Sequence, residues 1–557
     1  MTLDPATRAA PGAVPRNGTT AGPAEPAAGA AARADRSWPL ALAAAVFLAH
    51  LAVVAGGPYG PHRDALLYYA MGEHLHLFAM DFPPFIAIVA RATTAFGNIE
   101  LLTHLPVAAA HATLILLAAA FARRAGGGTG ASAIAAVSIA TAPVFMRAGS
   151  LFQPVVFDQL WWTAALWSLA RLGRSADTPT HASARSWLLL GAFLGLGLLT
   201  KFTMLVLGAG IFVAIAATPL RRSLRTPWPW AAALLAFAIA SPGILGQIAL
   251  DWPFLTQFQD LADAQLSRIS PASFVAEQLL LLGPVAIPVA FVTVTTLLKG
   301  GDPGLRAVAW AAAAAFVLML LAGGKPYYIA PIWPALTGIA IGRIDARLGR
   351  TRAGAGAGTG APVTSSRLRR RIVHATLWLL VAGWGLVTLP LGLPFLPPAP
   401  MSRYAAFLGV GATSNTGEQL ALPQDYADML GWEDLAAATD SAWRALTAAE
   451  RGRAVILATN YGRAGAIDWF GSADLPPAIA PVGSYWFWGP GERPGAITIV
   501  VGEEADELAG RWFRSATEFT RVRRPWGVPE EQDVPIVIAR DPVRTLKEIW
   551  PEFRGVN

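Results

Sequence analysis

Eleven apolar runs dominate the first 392 residues, and that succession leaves few folds open. They fall at 38–55, 100–122, 131–146, 157–172, 186–200, 202–219, 229–248, 278–298, 305–322, 327–343 and 372–392. A run of about 20 apolar residues crosses a bilayer as a helix, because a helix satisfies its own backbone polar groups without water. The 557-residue chain is 54% hydrophobic and only 14% charged, with mean hydropathy +0.45. Soluble domains carry nearer a quarter charged residues, so the missing charge calls for an apolar solvent. The expectation is an all-α polytopic membrane domain.

Basic residues orient it. With the N-terminus in the cytoplasm, the inside loops hold Arg123 and Arg124, then Arg171, Arg174 and Arg185, then Arg221, Arg222 and Arg225, then Lys299 and Arg306, and finally the long loop 344–371. All five are basic, as the positive-inside rule requires. The net charge of +7 and isoelectric point near 9.9 therefore read as membrane topology rather than nucleic-acid binding. The chain has no cysteine, which excludes disulfides, thiolate metal sites and cysteine nucleophiles.

Domain boundaries follow from composition. Residues 1–36, rich in Ala, Gly, Pro and Thr, read as a disordered cytoplasmic tail, where the Asn17-Gly18-Thr19 triplet carries no glycosylation meaning. Residues 37–398 form the membrane domain. The inside loop 344–371 contains GAGAGTGAP, a flexible linker with no strand before it and no helix-opening Lys-Ser/Thr. Its cluster Arg367, Arg369, Arg370 and Arg371 faces anionic lipid. From 399 to 557 charge density rises, with strand-like runs at 453–459, 496–502 and 534–539 and a helical pattern at 432–449. That alternation predicts a small α/β domain, placed outside the cytoplasm by the parity of the spans.

The first outside loop, 56–99, is too apolar to float in water and carries Asp64, Glu73, Asp81, His62, His74, His76 and Arg63. Interfacial helices, punctuated at Pro83-Pro84, reconcile the two facts. Asp64 is the best candidate for a general base on an acceptor hydroxyl, with helix N-capping as its structural alternative. Asp81 has the same alternative. His74 and His76, two apart, fall on different helix faces and do not suggest a metal site. Lys201 and Lys325 end apolar spans; each alone reads as snorkelling, but together they suit a phosphate at the outer surface. Asp158, Arg268 and Glu277 are further outside-facing polar groups, and Tyr328 follows Lys325 as a belt or pocket residue. The aromatic run Ser484–Trp488 reads as a packed core strand or, less readily, as an acceptor platform.

Taken in order, HRDALLYYAMGEHL (62–75), DFPPFIAIVAR (81–91), LGLGLLTKFTML (194–205), EQLLLLGPVAIP (277–288) and GGKPYYIAPIWP (323–334) resemble bacterial glycosyltransferases of the family 39 type, within the GT-C fold. RAVILATNYGRAGAIDWFG (453–471) and SYWFWGPG (484–491) extend the likeness into the C-terminal domain. The resemblance implies a polyprenyl-phosphate sugar donor, used on the outer face toward a glycan, lipid or protein acceptor. It places Asp64 where the family has its catalytic base. Arg63, Asp81, Asp158, Lys201, Lys325 and Tyr328 then fall to the donor phosphate or substrate. One departure stands out: where many members read Glu-Lys-Pro-Pro, this chain has Asp81-Phe82-Pro83-Pro84, without the lysine. No cofactor is expected, since a phosphate is a good enough leaving group for a metal to be dispensable; a divalent metal is the alternative. The competing classes are a transporter or lipid flippase, which would favour mid-span charges and a hydropathy repeat, and a non-catalytic assembly protein of the cell envelope.

Overall fold

The protein is described here from a computed structural model covering residues 25–173, 181–299, 301–355, 363–410 and 417–553. Residues 1–24, with Asn17, and the glycine-rich segment 356–362 lie outside the described residues. The first helix runs Glu25–Gly56, so its N-terminal turns lie in the stretch read as a tail.

Among the described residues, six helices are long and apolar enough to cross a bilayer alone: Ser37–Gly56, Glu100–Arg124, Ser183–Thr200, Trp228–Ala249, Pro303–Leu321 and Arg367–Gly392. Three more candidate spans are bent pairs. Thr129–Thr141 meets Pro143–Gly149 at 60°, Met204–Ala217 meets Pro219–Arg225 at 98°, and Pro271–Leu282 meets Ala286–Lys299 at 112°. Each break falls at a proline, Pro143, Pro219 or Pro284, whose missing N–H and ring clash interrupt the helical ladder. At the third, Gly283 also takes φ 88°, which only glycine adopts without strain. The single run expected at 278–298 is therefore an angled pair. The runs expected at 157–172 and 327–343 are the helix Pro154–Leu172 and a 3-10 turn, Pro326–Ile332, leading into Trp333–Ala355.

Small residues let the helices close up. A Cβ on Gly338 would lie 2.5 Å from the Ala118 carbonyl oxygen, and one on Gly342 would lie 2.2 Å from that of Ala122. In a bilayer, such close backbone approach supplies the dispersion contact that water exclusion supplies elsewhere. The loops expected inside hold charge pairs. Arg124 binds Asp302, which caps Pro303–Leu321 by accepting from the Gly304 and Leu305 N–H groups. Arg370 and His374 both reach Asp345.

The C-terminal region folds around a four-stranded sheet, β1 (Ala454–Ala458), β2 (Ile497–Val501), β3 (Phe513–Arg523) and β4 (Asp533–Pro542), in the order β1-β2-β4-β3. β1 and β2 are parallel, joined through the helix Tyr461–Phe470; β4 runs antiparallel to β2 and β3. Three strands fall where short apolar runs predicted them. β3 did not announce itself, because most of its residues face solvent and its composition is polar. The run Ser484–Trp488 is a correction: it forms a short helix, Gly483–Trp488, bounded by Gly483 (φ 57°) and Gly489 (φ 84°), not a strand. Aromatic β-propensity yields there to the tight turns on either side and to the burial of Ser484 and Tyr485.

The loop 56–99 and the sheet domain share one core. Leu66, Met71 and Ile86 belong to the same buried cluster as Trp432, Ile456 and Ile499. Tyr69 stacks on Trp469 with ring centres 4.1 Å apart, and His74 stacks on Trp488 at 4.0 Å. The loop is apolar because it is the floor of a domain.

Candidate active site

Asp64 sits in the first turn of the helix Arg63–Glu73. It does not cap that helix; His62 does, its Nδ1 accepting the Asp64 N–H at 3.0 Å. The Asp64 carboxylate is thus free to bond elsewhere. Its Oδ1 accepts from the Tyr461 hydroxyl at 2.9 Å and its Oδ2 from Gln153 Nε2 at 3.1 Å. Its side chain remains 32% exposed, so a substrate can reach it.

Because His62 Nδ1 is an acceptor, the neutral ring carries its proton on Nε2. That nitrogen faces Asp425 Oδ1 at 3.8 Å and Asp428 Oδ2 at 3.7 Å. Arg63 points toward the C-terminal domain: its Nε lies 3.8 Å from Asp428 Oδ1, and one terminal nitrogen donates to Glu530 Oε1 at 3.3 Å. The buried Asp428 also receives the Arg63 N–H on its backbone carbonyl, at 2.9 Å. Burial raises the Asp428 carboxyl, while Arg63 and His62 pull it back down.

On the membrane side, Lys201 occupies the break between two helices, with its Nζ 4.0 Å from the ring centre of Tyr328 and 5.4 Å from that of Tyr327. Asp158 lies close enough for its charge to act on Lys201, and its Oδ2 accepts from the Thr203 hydroxyl at 3.1 Å. Lys325 starts the turn carrying both tyrosines. Burial lowers the Lys325 ammonium, opposed by the carboxylates of Asp64 and Asp425. Tyr328, Lys201 and Asp158 therefore form one linked group, with Lys325 at the start of the same turn as Tyr328 and the charge of Asp64 acting on Lys325.

Asp81 stands apart from it. Each of its oxygens lies 2.8 Å from the Ser484 hydroxyl, which donates to one of them at a time, and burial pushes the carboxyl up to about 6. The adjacent helix is entered at Pro84 without a side-chain cap, so Asp81 does not cap it. Arg63 and Asp81 both bind the C-terminal domain, each from its own end of the loop. Among the described residues, no three His, Asp or Glu side chains converge as metal ligands would.

Sequence reasoning passed over Gln153, Tyr461, Asp425, Asp428 and Glu530. Gln153 precedes a proline-opened helix and Tyr461 lies inside a quoted motif, yet neither has periodicity or charge to mark it. The three acids are ordinary residues of a polar domain until folding brings them to His62 and Arg63.

Residues 81–245 match the family Dolichyl-phosphate-mannose-protein mannosyltransferase. The structure is similar to that of ArnT from Cupriavidus metallidurans bound to undecaprenyl phosphate, with TM-score 0.57 and 16% identity over 90% of this chain and 98% of that one. The same protein in its apo state gives TM-score 0.51 at 16% identity, over 91% and 98%. The archaeal oligosaccharyltransferase AglB from Archaeoglobus fulgidus, in complex with an inhibitory peptide and a dolichol-phosphate, gives 0.48 at 14% identity, over 80% and 64%. No curated protein sequence matches the chain significantly. The chain is thus a multi-pass membrane protein with the fold of GT-C glycosyltransferases. The resemblance to family 39 read from its motifs is borne out.

Proposed function

We propose that the chain transfers a sugar from a polyprenyl-phosphate donor to an acceptor hydroxyl at the outer face of the membrane, with inversion, using Asp64 as the general base. The observation that carries this reading is the convergence on Asp64. A part-exposed carboxylate lies where the first-loop helix, the membrane helices and the C-terminal domain meet, within the electrostatic reach of Lys325. The acceptor oxygen attacks the sugar C1 while its proton passes to Asp64, and the C1–O bond to the phosphate breaks. Lys201 and Lys325 offset the charge of the departing polyprenyl phosphate, and Tyr328 holds Lys201 in place. The matched family and the undecaprenyl-phosphate complex of a protein with this fold support the class of donor. The N-terminus is cytoplasmic and residues 399–557 form an extracytoplasmic domain, with 37–398 as the membrane domain.

The test is transfer in vitro from radiolabelled polyprenyl-phosphate sugars by purified protein and by Asp64→Asn. Wild type should transfer, and Asp64→Asn should bind donor without turnover. Absence of transfer from every such donor by folded wild type would reject the reading, as would undiminished turnover by the variant.

A further inference from the structure

The helix Tyr461–Phe470 of the C-terminal domain packs along the helix Arg63–Glu73. Two glycines permit the contact. A Cβ on Gly462 would come 2.4 Å from Arg63 Cγ, and a Cβ on Gly465 would come 2.8 Å from the backbone carbon of Leu66. Asn460 caps the helix by accepting the Arg463 N–H at 3.0 Å, which sets where its first residue, Tyr461, begins. Behind the cap, Glu531 is buried between Arg463 at 3.1 Å and Arg524 at 2.7 Å, and accepts from Asn460 Nδ2 at 2.7 Å. Tyr461 thus stands on a rigid base rather than on a loop.

From that base the Tyr461 hydroxyl reaches Asp64 Oδ1 at 2.9 Å, while Gln153 holds Oδ2 from the opposite, membrane side. Arg63 lies over the Tyr461 ring, 5.5 Å from its centre. Resting on the assignment of Asp64 as base, we infer that Tyr461 is a positioning residue, and that the C-terminal domain completes the active site by orienting the Asp64 carboxylate through it. Each carboxylate oxygen has two lone-pair directions, and one donor on each leaves the others for the acceptor hydroxyl. Burial raises the Tyr461 phenol far above its ordinary range, so it remains a neutral donor at working pH. Two fixed donors narrow the carboxylate to one orientation, and misplacing a reacting group by about 1 Å costs on the order of a hundredfold in rate.

Tyr461→Phe keeps the ring and its stack with Arg63 while deleting the hydroxyl. It should lower kcat by about ten- to a hundredfold with little change in donor KM. It should also move the acidic limb of the pH–rate profile to higher pH, because a donor to a carboxylate stabilises its charged form. A purely structural role would lower thermal stability and leave the profile in place. Gly465→Val, which keeps the hydroxyl but pushes the helix away from Leu66, should reproduce the kcat loss in whatever fraction folds. Asp64→Asn in the same assay separates the two ideas. If it stays active, the base assignment fails. If it is inactive while Tyr461→Phe matches wild type in both kcat and pH profile, the positioning role alone is overturned.

Discussion

The hydroxyl of Ser484, in the C-terminal domain, lies 2.8 Å from each oxygen of Asp81, in the loop 56–99, 403 residues earlier in the chain. Both residues are buried. A hydroxyl has one proton, so it donates to one oxygen at a time and serves the carboxylate as its side-chain anchor to the sheet domain. Ser484→Ala should therefore cost about 1.5–3 kcal/mol at pH 7.5, the usual loss for a hydrogen bond to a charged group. Thermal unfolding in detergent measures it, and an unchanged melting temperature would show that Asp81 is satisfied without the serine.

Asp468 provides a pH signature. Its oxygens accept from the Ala478 N–H at 2.8 Å and the Tyr485 hydroxyl at 2.7 Å, and burial pushes it from 3.8 up to about 7. The folded state therefore binds a proton that the unfolded state has released between about pH 4 and 7. Stability from this group is greatest below that window and falls as pH rises through it, by on the order of 4 kcal/mol in total. Asp468→Asn should flatten the decline in melting temperature between pH 4.5 and 7.5. An equally steep decline in the variant would assign the effect to other groups.

Glu531 is buried between two guanidinium groups, and Arg524 lies over the ring of Trp432 at 4.8 Å. Removing its charge takes from both arginines their ion-pair partner, a loss of about 3–5 kcal/mol for a buried pair. Glu531→Gln should unfold the C-terminal domain at lower temperature, reported by tryptophan fluorescence. A shift of under a degree would mean that water reaches these arginines.

Lys201 and Lys325 are tested by Lys201→Met and Lys325→Met. Each should weaken donor binding by about ten- to a hundredfold, the scale of one charge-assisted contact. Inhibition of transfer by polyprenyl phosphate should weaken in parallel. Variants that lose kcat but keep donor affinity would move these lysines out of the phosphate site.

The cysteine-free sequence lends itself to a topology test. Glu492→Cys replaces a side chain that is 94% exposed. It should react with a membrane-impermeant thiol reagent in intact cells. Arg369→Cys should react only after permeabilisation. The reverse pattern would invert the proposed orientation.

Apolar runs and the placement of Arg made the membrane domain legible, because burial in lipid is imposed residue by residue along the chain. β1, β2 and β4 were legible for the same reason: buried strands are written as apolar runs. The polar edge strand β3 and the helix Gly483–Trp488 were not, since their conformations depend on the partner strand and on flanking glycine turns rather than on local composition.

At the site, Asp64, Lys201 and Lys325 stood out because charge beside a membrane span is costly and therefore conspicuous. What surrounds them did not. Gln153, Tyr461, Asp425, Asp428 and Glu530 are unremarkable polar residues, tens to hundreds of positions from Asp64. The sequence by itself determined a membrane-embedded helical chain with a polar α/β end and a charged first loop, because hydropathy and charge act locally. Only the tertiary structure decided that the loop is roofed by the C-terminal domain, and that the two oxygens of Asp64 are held by Tyr461 from one side and Gln153 from the other. Hydrogen bonds across such separations depend on how helices and sheet meet in space, which no window of sequence encodes.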